Sequence, residues 1–277
     1  MQADEPLPAR ARQAPFSIAP LAFRSSRVML LVAGYAIGLL LFLAIEPTQP
    51  WILLVVTGVV AIGADGVLRQ HPLATREEDT AWTAPLLFLP TLLTLSSGLF
   101  LEDAVGGYLA VPGVLVVSGL MAMVLFAEQA SVDFNSPNYP TARFTLNIGT
   151  YLTAFGFYSV VYAFDVSLIP AAVTVGLVSL LLAVEVLREA EADPLRALIY
   201  AGVVGLMVAE ARWVLYFLPV ESYLAGVFLL LVFYLTSGLV QHHLNDDLRP
   251  PVVLEFIGIA LLGVFIVTLG RLFESGG

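Results

Sequence analysis

Two ionisable residues, Glu210 and Arg212, fall inside the apolar run 196–217. A charge in a hydrocarbon environment is costly and is a functional hypothesis by default. Two residues apart on a helix means about 200° around the axis, so the two side chains cannot pair with each other. Each needs a partner on another element or a route to water. Arg212 has Tyr216 beside it and is expected to snorkel outward. Glu210 is expected to be buried, either as a ligand-binding group or as a lock between helices.

A second constellation is the connection His242-His243-Leu244-Asn245-Asp246-Asp247. If the preceding helix runs on by one turn, His242 with Asp246 and His243 with Asp247 become i,i+4 pairs on one face. Imidazole and carboxylate at that spacing suit a divalent metal or the magnesium of a bound diphosphate. The alternative is a solvated loop whose histidines meet the helix C-terminal dipole. Further acids, Asp65, Glu128, Glu185 and Glu255, stand near the ends of apolar runs. Glu185 and Arg188 have the spacing of an i,i+3 ion pair. For the others the choice is between headgroup-level solvation and a site.

Phe144, Asn147, Tyr151, Phe155, Tyr158 and Tyr162 share one helical face at 3/4 spacing. Asn147, Tyr151 and Tyr158 are therefore candidate ligand-binding residues, either lining a pocket or forming a hydrogen-bonded seam. Tyr234, Ser237, Gln241 and Asn245 make a second polar stripe that could face them. Nucleophilic catalysis finds no support: Leu235-Thr236-Ser237-Gly238 lacks the first glycine of the intramembrane-protease G-x-S-G, and no histidine follows His243.

The elements that must position these groups are membrane spans. Crossing about 30 Å of hydrocarbon takes roughly 20 apolar helical residues. Runs of that kind cover 28–46, 51–68, 82–101, 108–128, 144–164, 168–188, 196–217, 221–242 and 252–271. The expected fold is all-α, a polytopic bundle of about nine transmembrane helices. Pro85 and Pro90 should kink the third, and Gly34 with Gly38 forms a G-x-x-x-G on the first. Residues 1–27 read as a flexible cytoplasmic tail, 28–271 as the bundle and 272–277 as a short external tail. No cleaved signal peptide is expected, because the first run is a full span without a small-residue cleavage site after it.

Arginine sets the orientation. With the N-terminus inside, Arg10, Arg12, Arg24, Arg27, Arg69, Arg76, Arg143, Arg188, Arg196 and Arg249 all fall on the cytoplasmic side, against Arg271 outside. The expected topology is N-in, C-out, in a bacterial plasma membrane.

Composition agrees and excludes much else. Of 277 residues 59% are hydrophobic and only 12% charged, with mean hydropathy +0.90; soluble domains carry about twice that charge. Cysteine is absent and all 12 basic residues are arginine. Disulfides, thiolate metal sites, Schiff bases and a phosphate-binding lysine are thereby excluded. The net charge of −10 is spread over short loops, and nothing basic and clustered points to nucleic acid.

Asp65-Gly66-Val67-Leu68-Arg69 and Glu185-Val186-Leu187-Arg188-Glu189 with Asp193 follow the second and sixth spans. In helix number, orientation and placement of these acids the chain resembles UbiA-type prenyltransferases, which bind prenyl diphosphate through magnesium at such positions. The resemblance covers topology; the N-D-x-x-D core is missing. The chain is more similar to multi-pass membrane proteins of high-GC bacteria, a likeness carrying no activity with it. Three functions are consistent with the sequence. One is a non-catalytic scaffold or accessory subunit, with a membrane-protein partner or a second copy of itself. Another is a carrier of a small or lipidic solute. The third is an enzyme acting on a polyprenyl or lipid phosphate at the cytoplasmic face. No cofactor is indicated by any motif, and the bilayer is the one partner composition demands.

Overall fold

The structure, a computed structural model, describes residues 26–69, 84–105, 109–133, 136–188, 190, 193–218, 220–247, 249–251, 253–259, 261 and 263. The N-terminal tail to residue 25, Arg76, Arg271 and the segment 272–277 lie outside the described residues.

Eight complete helices follow one another: α1 (Ser26–Ala44), α2 (Pro50–Leu68), α3 (Ala84–Ala104), α4 (Ala110–Ser131), α5 (Tyr139–Ala163), α6 (Leu168–Leu187), α7 (Pro194–Leu215) and α8 (Ser222–Leu244). The described residues of 250–263 are helical and form α9. No strand occurs among the described residues. Helix starts follow local chemistry. Pro50 and Pro194 open α2 and α7, where a missing N–H costs little, and the Asp193 carboxylate accepts from Leu195 N at 3.0 Å.

α3 continues through Pro90, and the hydroxyls of Thr91 and Thr94 donate to the carbonyls of Leu87 and Pro90 at 2.7 and 2.9 Å. Of the G-x-x-x-G pair, Gly38 meets Val56 of α2, whereas Gly34 faces open space.

Among the described residues seven helices, all the complete ones except α5, are long and apolar enough to cross a membrane. Their outer faces are greasy: Leu30, Ile62 and Val116 are each about three-quarters exposed. An exposed surface of that kind needs lipid around it. The protein is a multi-pass helical membrane bundle.

α5 is less apolar because of where it sits. It packs against α3, α4, α6 and α8, so most of its circumference meets protein rather than lipid. Arg143, Thr150, Thr153, Tyr158 and Ser159 are buried on it. Phe144, Ile148 and Leu152, one turn apart, form its exposed apolar stripe. The helix also begins at Tyr139, five residues before the expected 144, which takes Arg143 out of a loop and into the helix.

Polar side chains bridge neighbouring helices inside the bundle. Tyr35 and Ser97 share a hydrogen bond of 2.6 Å between α1 and α3, as do Tyr158 and Ser179 between α5 and α6. Ser96 donates to the Thr153 carbonyl at 3.0 Å. Such a bond is worth about 1 kcal/mol net. We expect Tyr158→Phe to lower stability by about 1 kcal/mol without changing the fold. Equilibrium unfolding in mixed micelles measures this.

Candidate functional site

α4 and α6 end, and α5 begins, at the arginine-rich end of the bundle. Their last and first turns bring four charges together. Glu128 of α4 and Glu185 of α6 are 0% and 1% exposed, and Arg143 of α5 is 4% exposed. Arg143 donates to the Glu185 carboxylate at 2.8 Å and to the Glu185 carbonyl at 2.9 Å. The second bond also satisfies one of the orphan carbonyls at the end of α6. Arg188, the C-cap of α6, reaches Glu185 at 3.1 Å, Glu128 at 3.4 Å and the Ser131 hydroxyl at 3.0 Å. Burial opposes the Arg188 charge; the Glu185 and Glu128 carboxylates outweigh it and hold the guanidinium above its ordinary value.

By side-chain type the quartet has two arginines and two glutamates, so its formal charges balance. That balance is what lets four charges sit where water is scarce. Two carboxylate oxygens, Glu128 Oε1 and Glu185 Oε2, remain without a hydrogen-bond partner among the described residues. The i,i+3 pair expected of Glu185 and Arg188 is present, but it is half of a network. Headgroup solvation of Glu128 is overturned, since the residue is fully enclosed. Asp65 pairs with Arg69 one turn on at 2.7 Å, and Glu255 is exposed.

At the opposite end the expectations for α7 are reversed. Arg212 is 3% exposed and turns inward, its guanidinium 4.8 Å above the Tyr162 ring. It does not snorkel. Its Nε and Nη1 have no hydrogen-bond partner among the described residues. The helix C-termini of α5 and α7 are close by, and their negative ends suit a cation. Tyr162 ties the same region by donating to the Leu218 carbonyl at 3.1 Å.

Glu210, expected to be buried, is exposed. Its helix puts Val204, Val208 and Arg212 inside, and a residue two positions from Arg212 must then face out. There it stands in a groove of about 720 Å³ between α6 and α7, with Gly176, Gly202, Leu206 and Trp213 among the lining residues.

The phenols of α5 all find partners. Tyr151 lies against Tyr234 and Phe233 of α8, with ring centroids 5.6 and 6.0 Å apart, and its hydroxyl bonds Ser237. The two polar stripes therefore face each other through Tyr151, and the phenols form a seam. Asn147 is half-buried, and Phe144, at the end of the shared face, is 66% exposed.

The His–Asp connection does not extend the helix. α8 stops at Leu244, and Asp246 has φ of 53°, a left-handed conformation that ends the helical path. The two i,i+4 pairs therefore do not form. His242 meets the Phe256 ring and His243 the Tyr200 ring edge to face, while the Asp247 carboxylate turns to Arg249 at 2.9 Å. Among the described residues no group of three or more His, Asp or Glu is placed to hold a metal ion.

Sequence reasoning missed Arg143, which it counted as a loop residue. It also missed that Glu128, Arg143, Glu185 and Arg188 meet. The available signal was two acids and two arginines at three helix ends sharing one side of the membrane.

Fold and site thus define a multi-pass α-helical membrane protein in which the enclosed acids Glu128 and Glu185 are paired with arginines across helices. Residues 47–270 match the family described as protein of unknown function DUF5656, and the chain belongs to that family. No curated protein and no solved structure matches the chain.

Proposed function

We propose that the protein is a non-catalytic scaffold or accessory subunit of a complex in a bacterial plasma membrane, with the arginine-rich end in the cytoplasm. One observation carries this reading: Glu185, Glu128, Tyr158 and Tyr35, all inside the bundle, are each engaged by a side chain of the same chain. Glu185 has two arginines, Glu128 has Arg188, Tyr158 has Ser179 and Tyr35 has Ser97. A transport path or a phosphate site requires polar groups left free for the solute. Here these four residues fasten helix to helix, which is what a rigid partner-binding body needs. The acids that correspond to the prenyltransferase magnesium positions, Asp65 and Glu185, are held by Arg69 and Arg143.

The test is native mass spectrometry of the protein extracted from its own membrane in a mild detergent. The expected result is an assembly heavier than the 29.8 kDa chain with a fixed ratio to another membrane protein. A stable monomer that purifies alone contradicts the proposal.

A further inference from the structure

The groove between α6 and α7 contains a carboxylate that the bundle does not use. Glu210 is exposed in it and has no ion pair or hydrogen bond among the described residues. It sits five residues before the last residue of α7, about 8 Å below the helix end at 1.5 Å per residue. At that depth a lone carboxylate on an apolar wall is unfavourable. The groove floor is where α6 and α7 approach most closely. A Cβ on Gly205 would come within 2.6 Å of the Gly176 carbonyl oxygen. Gly202 differs: a Cβ there meets nothing within 4 Å. Its small size does not serve the packing of this chain, and it leaves the groove open beside Glu210.

We propose that this groove seats one transmembrane helix of a different protein, bearing an arginine or lysine level with Glu210. The inference rests on the accessory role and names the chemistry of the partner. Charge complementarity selects the occupant. A second copy of this chain, paired about a two-fold axis through the groove, brings Glu210 against Glu210. Among the described residues it supplies no cation there, because Arg212 is buried under its own fold and points about 200° away. A lipid acyl chain fits an apolar furrow, but an amine headgroup belongs level with the helix ends rather than a turn and a half below them. A helix can carry its cation at any depth, and small residues along the groove let its backbone come close.

The absence of cysteine makes the test direct. Leu206→Cys, on the exposed groove wall, takes a donor fluorophore on the full-length protein in liposomes. The probes are leucine-rich transmembrane peptides of about 22 residues with an acceptor label. They carry Arg, Leu or Glu about 8 Å below the outer end. Energy transfer should show the Arg peptide associating about tenfold more tightly than the Leu peptide, and the Glu peptide weakest. Glu210→Gln should abolish the preference, and so should Gly202→Leu, which fills the groove. Neither variant should lower the unfolding midpoint.

Equal association of the three peptides overturns the inference, as does a preference that survives in Glu210→Gln. Transfer between two labelled copies of the chain that the Arg peptide does not reduce assigns the groove to self-association and overturns it too. Displacement of the Arg peptide by an equimolar long-chain amine assigns it to lipid, with the same consequence. If the peptides fail while the native protein keeps a fixed-ratio partner, the groove reading falls and the accessory role stands. If the native protein is a stable monomer, the accessory role falls first.

Discussion

Arg143→Met is expected to destabilise the bundle by about 3–5 kcal/mol, the cost of leaving a buried carboxylate without its cation. Arg143 supplies the shortest bond to Glu185, at 2.8 Å, and also holds the Glu185 carbonyl at the end of α6. Removing it leaves Glu185 to Arg188, which is already shared with Glu128. The formal charge of the enclosed group falls from zero to −1. The double variant Arg143→Met, Glu185→Leu should recover most of the loss, because replacing both partners of a buried pair with apolar groups is often close to neutral. Denaturant titration of the purified protein in mixed micelles reads both values. A double variant as unstable as the single one would show that packing around Arg143, not charge pairing, holds this end together.

The second large effect is expected at the α6–α7 crossing. A Cβ on Gly205 stands 2.6 Å from the Gly176 carbonyl oxygen, 3.0 Å from Leu180 Cβ and 3.2 Å from Leu180 N. Two of these neighbours are backbone and cannot rotate away, so the helices must separate. Overpacking of this kind costs about 1–3 kcal/mol, and Gly205→Val should reach the upper end. Gly202→Ala, three residues earlier and open to the groove, is the internal control, with no loss expected. The same titration compares the pair. Equal tolerance at both positions would mean that the crossing is looser than described.

Both expectations rest on features that the sequence discloses unevenly. Spans were readable because each helix must hold about 20 apolar residues whatever its neighbours do. α1, α2, α6 and α8 accordingly start and stop within two residues of their expected limits. α5 was read as an ordinary span, although its tyrosines and threonines already departed from lipid-facing chemistry; what they faced depended on α3, α6 and α8. Glu210 and Arg212 show the limit most clearly. Their spacing fixes that they face opposite ways. It cannot fix which of them faces in, because both sides of α7 are apolar: Val204 and Val208 inside, Leu206 and Met207 outside. Packing against α6 and α8 decides it. The quartet is hidden for a related reason, since residues 128, 143, 185 and 188 meet through three helix ends and no local pattern joins them. The His–Asp connection stayed open between a further helical turn and a loop, because Asn245 and Asp246 could as readily cap a helix as continue it.

The account depends on Glu128 and Glu185 being paired inside the bundle and on α7 turning Arg212 inward and Glu210 outward. Oxygen collision rates of nitroxides placed one at a time along residues 203–214, in the purified protein in liposomes, test this most directly. Maxima at 203, 206, 207, 210, 213 and 214, with minima at 204, 208 and 212, are the predicted result. Maxima at 208 and 212 with a minimum at 210 would put Glu210 inside and Arg212 outside, and would contradict it.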